Sequence, residues 1–326
     1  MNHRQKPLSA CLLAMAALLS TAPIQGAWAQ TAPSLGTASN YALTTSAGLT
    51  ASIGTALVGP TFGGNAALDS PAPACTSTAA ALVLGADGNT CALANFTTPG
   101  FAIAGGLAIT GTTIRFKATN AAAENAAVRA VKDAVNAAWL DAFNRVGGAS
   151  IAGPGALGGK ILPPGVYTSG STMTLGSGET LTLDAGAGNA NAATAVWIFQ
   201  VGSSLTITGS TVACGAGPVC TPTQVVLLNG ALAKNVFWQV GTPRSAAGAS
   251  IGGDVSFPAA TGPVENNTIF KGTILAGNTV TFAGGTAVEG RVLAGADLLG
   301  TPNTQTGGAV TATGGSTGPV TVTLPQ

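Results

Sequence analysis

The chain has 326 residues, of which 12 are Lys or Arg, 11 are Asp or Glu and one is His, so charged residues are 7% and the formal net charge is +1. An average soluble protein carries about 25% charge, and so sparse a set, without clustered Lys and Arg, excludes nucleic acid as a natural partner. Aromatics are only 5% while Gly reaches 47 residues, a composition that suits thin, regular stacking better than a thick core.

Residues 1–29 read as a secretory signal peptide. Arg4 and Lys6 precede the apolar run Leu12 to Leu19, and Ala27-Trp28-Ala29 supplies a small-x-small site with cleavage expected after Ala29. The apolar part is too short for a membrane span. The single histidine, His3, leaves with the leader. Without it, Ser-His-Asp hydrolysis, Cys-His proteolysis and His-ligated zinc are excluded, and no catalytic residue, metal or cofactor is expected. Four cysteines remain, Cys75, Cys91, Cys214 and Cys220. In an exported chain they point to disulfides; proximity favours Cys75 with Cys91 and Cys214 with Cys220, though three pairings are possible.

Leu35 to Val58 contains strand-like pieces, and 59–101, rich in Pro, Gly and Ala, reads as a loop-dominated cap. Across 119–146 Gly and Pro are absent. Val128, Val131, Val135, Trp139, Ala142 and Val146 recur at spacings of three and four, which predicts one amphipathic helix of about 26 residues and close to 40 Å. Thr119 or Asn120 is its expected N-terminal cap and Gly147 its end. Arg129, Lys132, Asp133, Asp141 and Arg145 are expected on its solvated face.

From Leu107 onward, hydroxyl and apolar residues alternate with period two between turn residues: Leu107 to Thr110, Thr172 to Leu175, Thr180 to Leu183, Ser204 to Thr208 and Thr279 to Phe282. Other strands are more continuously apolar: Ala195 to Val201, Gln224 to Leu228, Val236 to Val240, Ile269 to Leu275 and Arg291 to Leu293. Phe199-Gln-Val-Gly202 is echoed by Trp238-Gln-Val-Gly241, and Gly272-Thr-Ile-Leu-Ala-Gly277 by Gly290-Arg-Val-Leu-Ala-Gly295. Echoing segments favour stacked β-helix coils over an ordinary β-sandwich. In the alternating strands the apolar partners face inward. The outward residues are then Thr110, Thr172, Thr174, Thr180, Thr182, Thr206, Thr208, Ser250, Thr279 and Thr281, and spacing alone does not place them all on one face. Asp184, Asp254, Glu265, Glu289 and Asp297 are scattered and mostly beside turns. Lys234, Lys271 and Arg291 fall near strands and suggest isolated ion pairs.

Leu162-Pro-Pro-Gly-Val-Tyr167, Ala195-Val-Trp-Ile-Phe-Gln-Val-Gly202, Asn235-Val-Phe-Trp-Gln-Val-Gly241, Gly272-Thr-Ile-Leu-Ala276 and Gly290-Arg-Val-Leu-Ala294, with the opening Leu35-Gly-Thr-Ala-Ser-Asn-Tyr-Ala-Leu43, occur together and in order. In this combination the chain resembles the microbial ice-binding proteins of the discontinuous β-solenoid type, over roughly Leu35 to Gly300. The resemblance implies a mainly β fold: a right-handed three-faced β-solenoid over 30–300, a long helix alongside and an N-terminal capping insertion; the cysteine-bearing insertion around Cys75 and Cys91, the Cys214 to Cys220 loop and the Gly/Thr-rich tail or last strand over 301–326 depart from it. The resemblance also implies adsorption to an ice crystal surface through a flat Thr-rich face; with the leader and the missing histidine, the expectation is a secreted, monomeric, non-enzymatic protein. The Thr-Ala/Gly-x-Thr/Asn element of some relatives is matched at Thr37 to Asn40, Thr110 to Thr113 and Thr208 to Thr211. Two other readings stand beside it. One is a cell-surface adhesion or matrix module, which the tail would suit as a linker; the other is a polysaccharide-cleaving β-helix, which needs two carboxylates facing each other across a groove.

Overall fold

The computed structural model describes residues 30–46, 48–52, 60–68, 76–77, 81–84, 101–102, 108–115, 122–151, 155–211, 221–243, 252–261, 264–296, 308–313 and 318–326. The leader, Cys75, Cys91, Cys214, Cys220, Ser250, Asp297, Thr119, Asn120 and most of 59–101 lie outside the described residues.

The protein is mainly β, with one long helix and sheets that are almost wholly parallel. An eight-stranded sheet runs in the order Met173–Leu175, Ser204–Ile207, Asp254–Phe257, Val280–Ala283, Ala309–Thr313 and Gly48–Ser52, then adds Ala81–Leu84 and Thr76–Ser77 antiparallel. A 16-stranded sheet holds two ladders. One passes through Gly165–Ser169, Trp197–Val201 and Val236–Val240; the other through Thr180–Asp184 and Gln224–Leu228. Both ladders then enter the same two nine-residue strands, Thr268–Ala276 and Thr286–Ala294.

Each of these long strands serves both ladders by turning at a glycine. Gly272 has φ +115, and a Cβ there would sit 2.8 Å from the Val236 carbonyl oxygen; one on Gly290, its register partner, would sit 1.8 Å from the oxygen of Gly272. Only glycine tolerates that backbone and that approach. The Gly272 and Gly290 echo in the sequence is therefore a column of corners. The second echo is also a register: Phe199 pairs with Trp238 and Gln200 with Gln239.

The chain order is broken once. Tyr41–Thr45 pairs with Thr286–Ala294, Gly48–Ser52 with Ala309–Thr313, and Thr61–Gly63 with Val320–Thr323. The first strands thus stack on the last. The residues expected as a tail or last strand supply two strands, which lie inside the ladders between the C-terminal and N-terminal parts.

Period-two alternation puts Leu181, Leu205, Ile207, Val255, Phe257, Val280 and Phe282 in one buried core. Its aromatics stack in series: Tyr167 on Phe199 (5.4 Å between centroids), Phe199 on Trp238 (3.9 Å) and Trp238 against Phe270 (5.0 Å). Such pairs each add about 0.5–1.5 kcal/mol beyond their buried area. The Trp238 indole N–H donates to the Lys271 carbonyl at 2.9 Å, so the ring is buried without an orphaned donor.

The helix, Ala122–Phe143, covers one ladder of the larger sheet. Val131, Val135, Ala138, Trp139 and Ala142 pack on Val166, Val196, Ile198, Phe237, Leu275 and Leu293. The 22 residues of the helix span about 33 Å. Its C-terminal end departs from expectation. The helix stops at Phe143, so Val146 lies beyond it and is 84% exposed, and Gly147 is not its terminal residue. Gln200 holds that end instead, its side-chain amide lying 2.8–2.9 Å from the carbonyl oxygens of Ala142, Phe143 and Arg145. Lys132 is a further correction: it is buried and donates to Ser46 Oγ and the Gly295 carbonyl. The helical period placed it beside solvated residues, but the N-terminal strand and the strand ending at Ala294 close over it.

Candidate functional site

The eight-stranded sheet carries the arrangement of interest. Its inward positions, Met173, Leu205, Val255, Val280, Val310 and Leu49, are all buried. Alternation then turns the next residue of each strand outward. Thr174 pairs with Thr206, Thr206 with Ser256, Ser256 with Thr281, and Thr281 with Thr311, whose register partner is Thr50. An unbroken column of hydroxyl residues, Thr174, Thr206, Ser256, Thr281 and Thr311, follows across five adjacent strands about 4.7–4.9 Å apart.

Flanking positions lie two residues away, about 6.5–7 Å along each strand. On one side they are Thr172, Ser204, Asp254 and Thr279, and on the other Thr208, Pro258, Ala283 and Thr313. Ser204 pairs with Asp254 and Ala283 with Thr313. Asp254 Oδ1 accepts from the Thr279 backbone N–H at 3.2 Å, the Thr279 hydroxyl and the Asn278 amide at 2.7 Å.

Six of the ten expected surface residues therefore belong to this sheet: Thr172, Thr174, Thr206, Thr208, Thr279 and Thr281. Thr180 and Thr182 sit on the larger sheet, where their neighbours are Gln224 and Val226. Thr110 follows Ala108–Ile109 on that same ladder, next to Thr61–Gly63. The local hydroxyl-apolar alternation is identical in both sheets and does not encode which ladder a strand joins. Sequence reasoning missed Ser256, because Asp254-Val-Ser-Phe257 was not among the stretches read as alternating strands. It also missed Thr311 and Thr313, because their stretch read as a tail; the alternation Val310-Thr-Ala-Thr313 was the available signal.

The three Thr-Ala/Gly-x-Thr/Asn matches do not form one element. Thr37 to Asn40 lies in the short helical turn Gly36–Asn40, with the Thr37 hydroxyl donating to the Ala130 carbonyl at 2.9 Å. Thr110 to Thr113 is a connection on the larger sheet, while Thr208 to Thr211 leaves the smaller one at the edge, where Thr211 meets Ser177.

Charged side chains are held locally. Asp184 accepts from the Asn229 amide at 2.6 Å and the Gly186 N–H at 2.8 Å, bonds that pull its carboxyl below the usual range. Lys271 pairs with Glu289, its neighbour across adjacent strands. Asp141 pairs with Arg145 one helical turn on, at 2.8 Å. Arg291 donates to the Ser39 carbonyl. Among the described residues no group of three or more His, Cys, Asp or Glu stands close enough to hold a metal ion, and no helix is long and apolar enough to cross a membrane.

A profile of the ice-binding-like family matches residues 72–300. The chain belongs to the ice-binding-like family. The ice-binding protein of Flavobacterium frigoris is 29% identical over 142 residues, 44% of this chain and 38% of its own length. Ice-binding protein 1 of Shewanella frigidimarina is 33% identical over 146 residues, 45% of this chain and 13% of its own. The chain thus spans well under half the length of these curated relatives. Among solved structures, an ice binding protein from an Antarctic biological consortium is 25% identical with a TM-score of 0.57, covering 91% of this chain and 93% of that one.

Proposed function

We propose that this member of the ice-binding-like family is a secreted ice-binding protein that adsorbs to ice through the hydroxyl face of its eight-stranded sheet. The observation that carries the reading is the in-register column Thr174, Thr206, Ser256, Thr281 and Thr311. Ice offers neither charge nor a pocket, so affinity must come from many weak neutral contacts on a rigid surface. Repeated Thr supplies a methyl and a hydroxyl at each node, and parallel stacking of this kind favours a flat sheet. We read the three ladders as the faces of a right-handed β-solenoid, one covered by the helix, with 59–101 as an N-terminal cap. Secretion after cleavage at Ala29, disulfides among the four remaining cysteines, a monomeric state and the absence of catalysis complete the proposal. An adhesion module loses its main support, since Ala309–Thr313 and Val320–Thr323, within the stretch suited to a linker, are ladder strands.

Purified protein should shape growing ice crystals and inhibit recrystallisation. Thr206→Tyr and Thr281→Tyr should each abolish both effects while leaving the melting transition in place. The matched control is Asp133→Tyr on the exposed side of the helix; Lys132 is unsuitable because it is buried. Unshaped crystals at high protein concentration would remove the function, and equal loss from the helix control would remove the face.

A further inference from the structure

The same sheet holds one residue that works against a neutral surface. Asp254 is exposed and is the sole charged residue among the described members of the central and flanking columns. A carboxylate binds water through short, charge-assisted hydrogen bonds and imposes its own hydration geometry. It also accepts the hydroxyl hydrogen of Thr279. Two adjacent nodes of the flanking column, Asp254 and Thr279, are thereby withdrawn from neutral hydrogen bonding with surface water. On the opposite flank of the same strand stands Pro258, which has no hydroxyl. The strand Asp254–Phe257 contributes Ser256 alone, where the neighbouring strand contributes Ser204, Thr206 and Thr208.

We propose that Asp254 is an affinity-limiting residue of this face, dividing its ordered-water array into two patches joined through Ser256. The proposal rests on ice adsorption by this sheet. Removing the charge while keeping the acceptor should merge the patches, and adding a second charge beside it should widen the gap.

The decisive comparison is Asp254→Asn against wild type, measured as thermal hysteresis at equal protein concentration. The amide oxygen still accepts from Thr279 and Asn278, so the turn and the engagement of Thr279 are preserved and the change in hysteresis reports the loss of charge alone. Hysteresis should rise at least about twofold, whereas Asp254→Glu, which keeps the charge, should give no gain. Ser204→Asp, at the register partner of Asp254, tests the same idea without touching the Asp254 turn and should cut hysteresis by about half or more. If Thr206→Tyr abolishes activity but Asp254→Asn gives no rise, or Ser204→Asp no loss, Asp254 does not limit binding. If wild type leaves ice unshaped, or Thr206→Tyr retains full activity, the assignment of the face fails first and this proposal falls with it.

Discussion

Tyr167 ends the series of stacked core aromatics, its hydroxyl donating to the Pro163 carbonyl at 2.6 Å. Burial pushes that hydroxyl up to about 12, against about 10 in an unfolded chain. Below pH 10 both states hold the proton and the stabilisation is complete. Between about 10 and 12 only the folded state holds it, so stability falls by about 2–3 kcal/mol as pH rises. Urea titrations across this range should show that loss, and Tyr167→Phe should flatten much of it; Tyr41, raised by burial in the same direction, accounts for some of the remainder. A curve for Tyr167→Phe identical to wild type would place the alkaline sensitivity elsewhere. The corner at Gly290 makes a sharper demand. An added Cβ would collide with the oxygen of Gly272, backbone that can move only by breaking the ladder, so Gly290→Ala should cost roughly 3 kcal/mol or more. At this scale the sequence spoke through its echoes, which marked both the corner glycines and the stacked aromatics. It misplaced Lys132 on the solvated helix face, because its burial depends on strands more than 80 residues distant.

Elements were easier to find than to assign. The helix was legible from its period because five apolar positions face the ladder, while its last turn was overextended because Val146 continued the spacing without having anything to pack against. What ends the helix is Gln200, a residue on a strand 55 to 58 positions away, and no local capping rule could reveal it. Gln200→Ala should leave the carbonyls of the last turn to water and cost about 1–2 kcal/mol. Hydrogen exchange should then rise at 140–145 while the strands of the smaller sheet stay protected; unchanged exchange there would mean that packing alone holds the helix end. The strands behaved likewise: their existence followed from alternation, but Thr180 and Thr206 have the same local pattern and belong to different sheets. Register is a property of coil length between strands, and irregular turns hid that length.

For the whole molecule, the last residues decide whether the ladders are continuous. Ala309–Thr313 separates Val280–Ala283 from Gly48–Ser52, and Val320–Thr323 separates Thr286–Ala294 from Thr61–Gly63. Val310, Val320 and Val322 are fully buried; each contributes about 1.5–3 kcal/mol by burial, together comparable with the 5–15 kcal/mol of a typical fold. Removal of 301–326 should therefore leave a chain without a cooperative urea transition. A wild-type midpoint after truncation would make these strands accessory and return the adhesion reading to consideration.

Stacking the first strands on the last also sets a timetable. Ser46 and Gly295 meet in the folded protein although they are 249 residues apart. At about 5–20 residues per second, the ribosome completes the first of these strands roughly 10–50 seconds before its partner exists. During that interval Tyr41–Thr45 has its neighbour Asn65–Leu68 but not Thr286–Ala294, so one edge of the N-terminal strands stays open to any other strand edge. Folding of this chain can begin anywhere in its middle, but it can end only after Val320–Thr323 has been made.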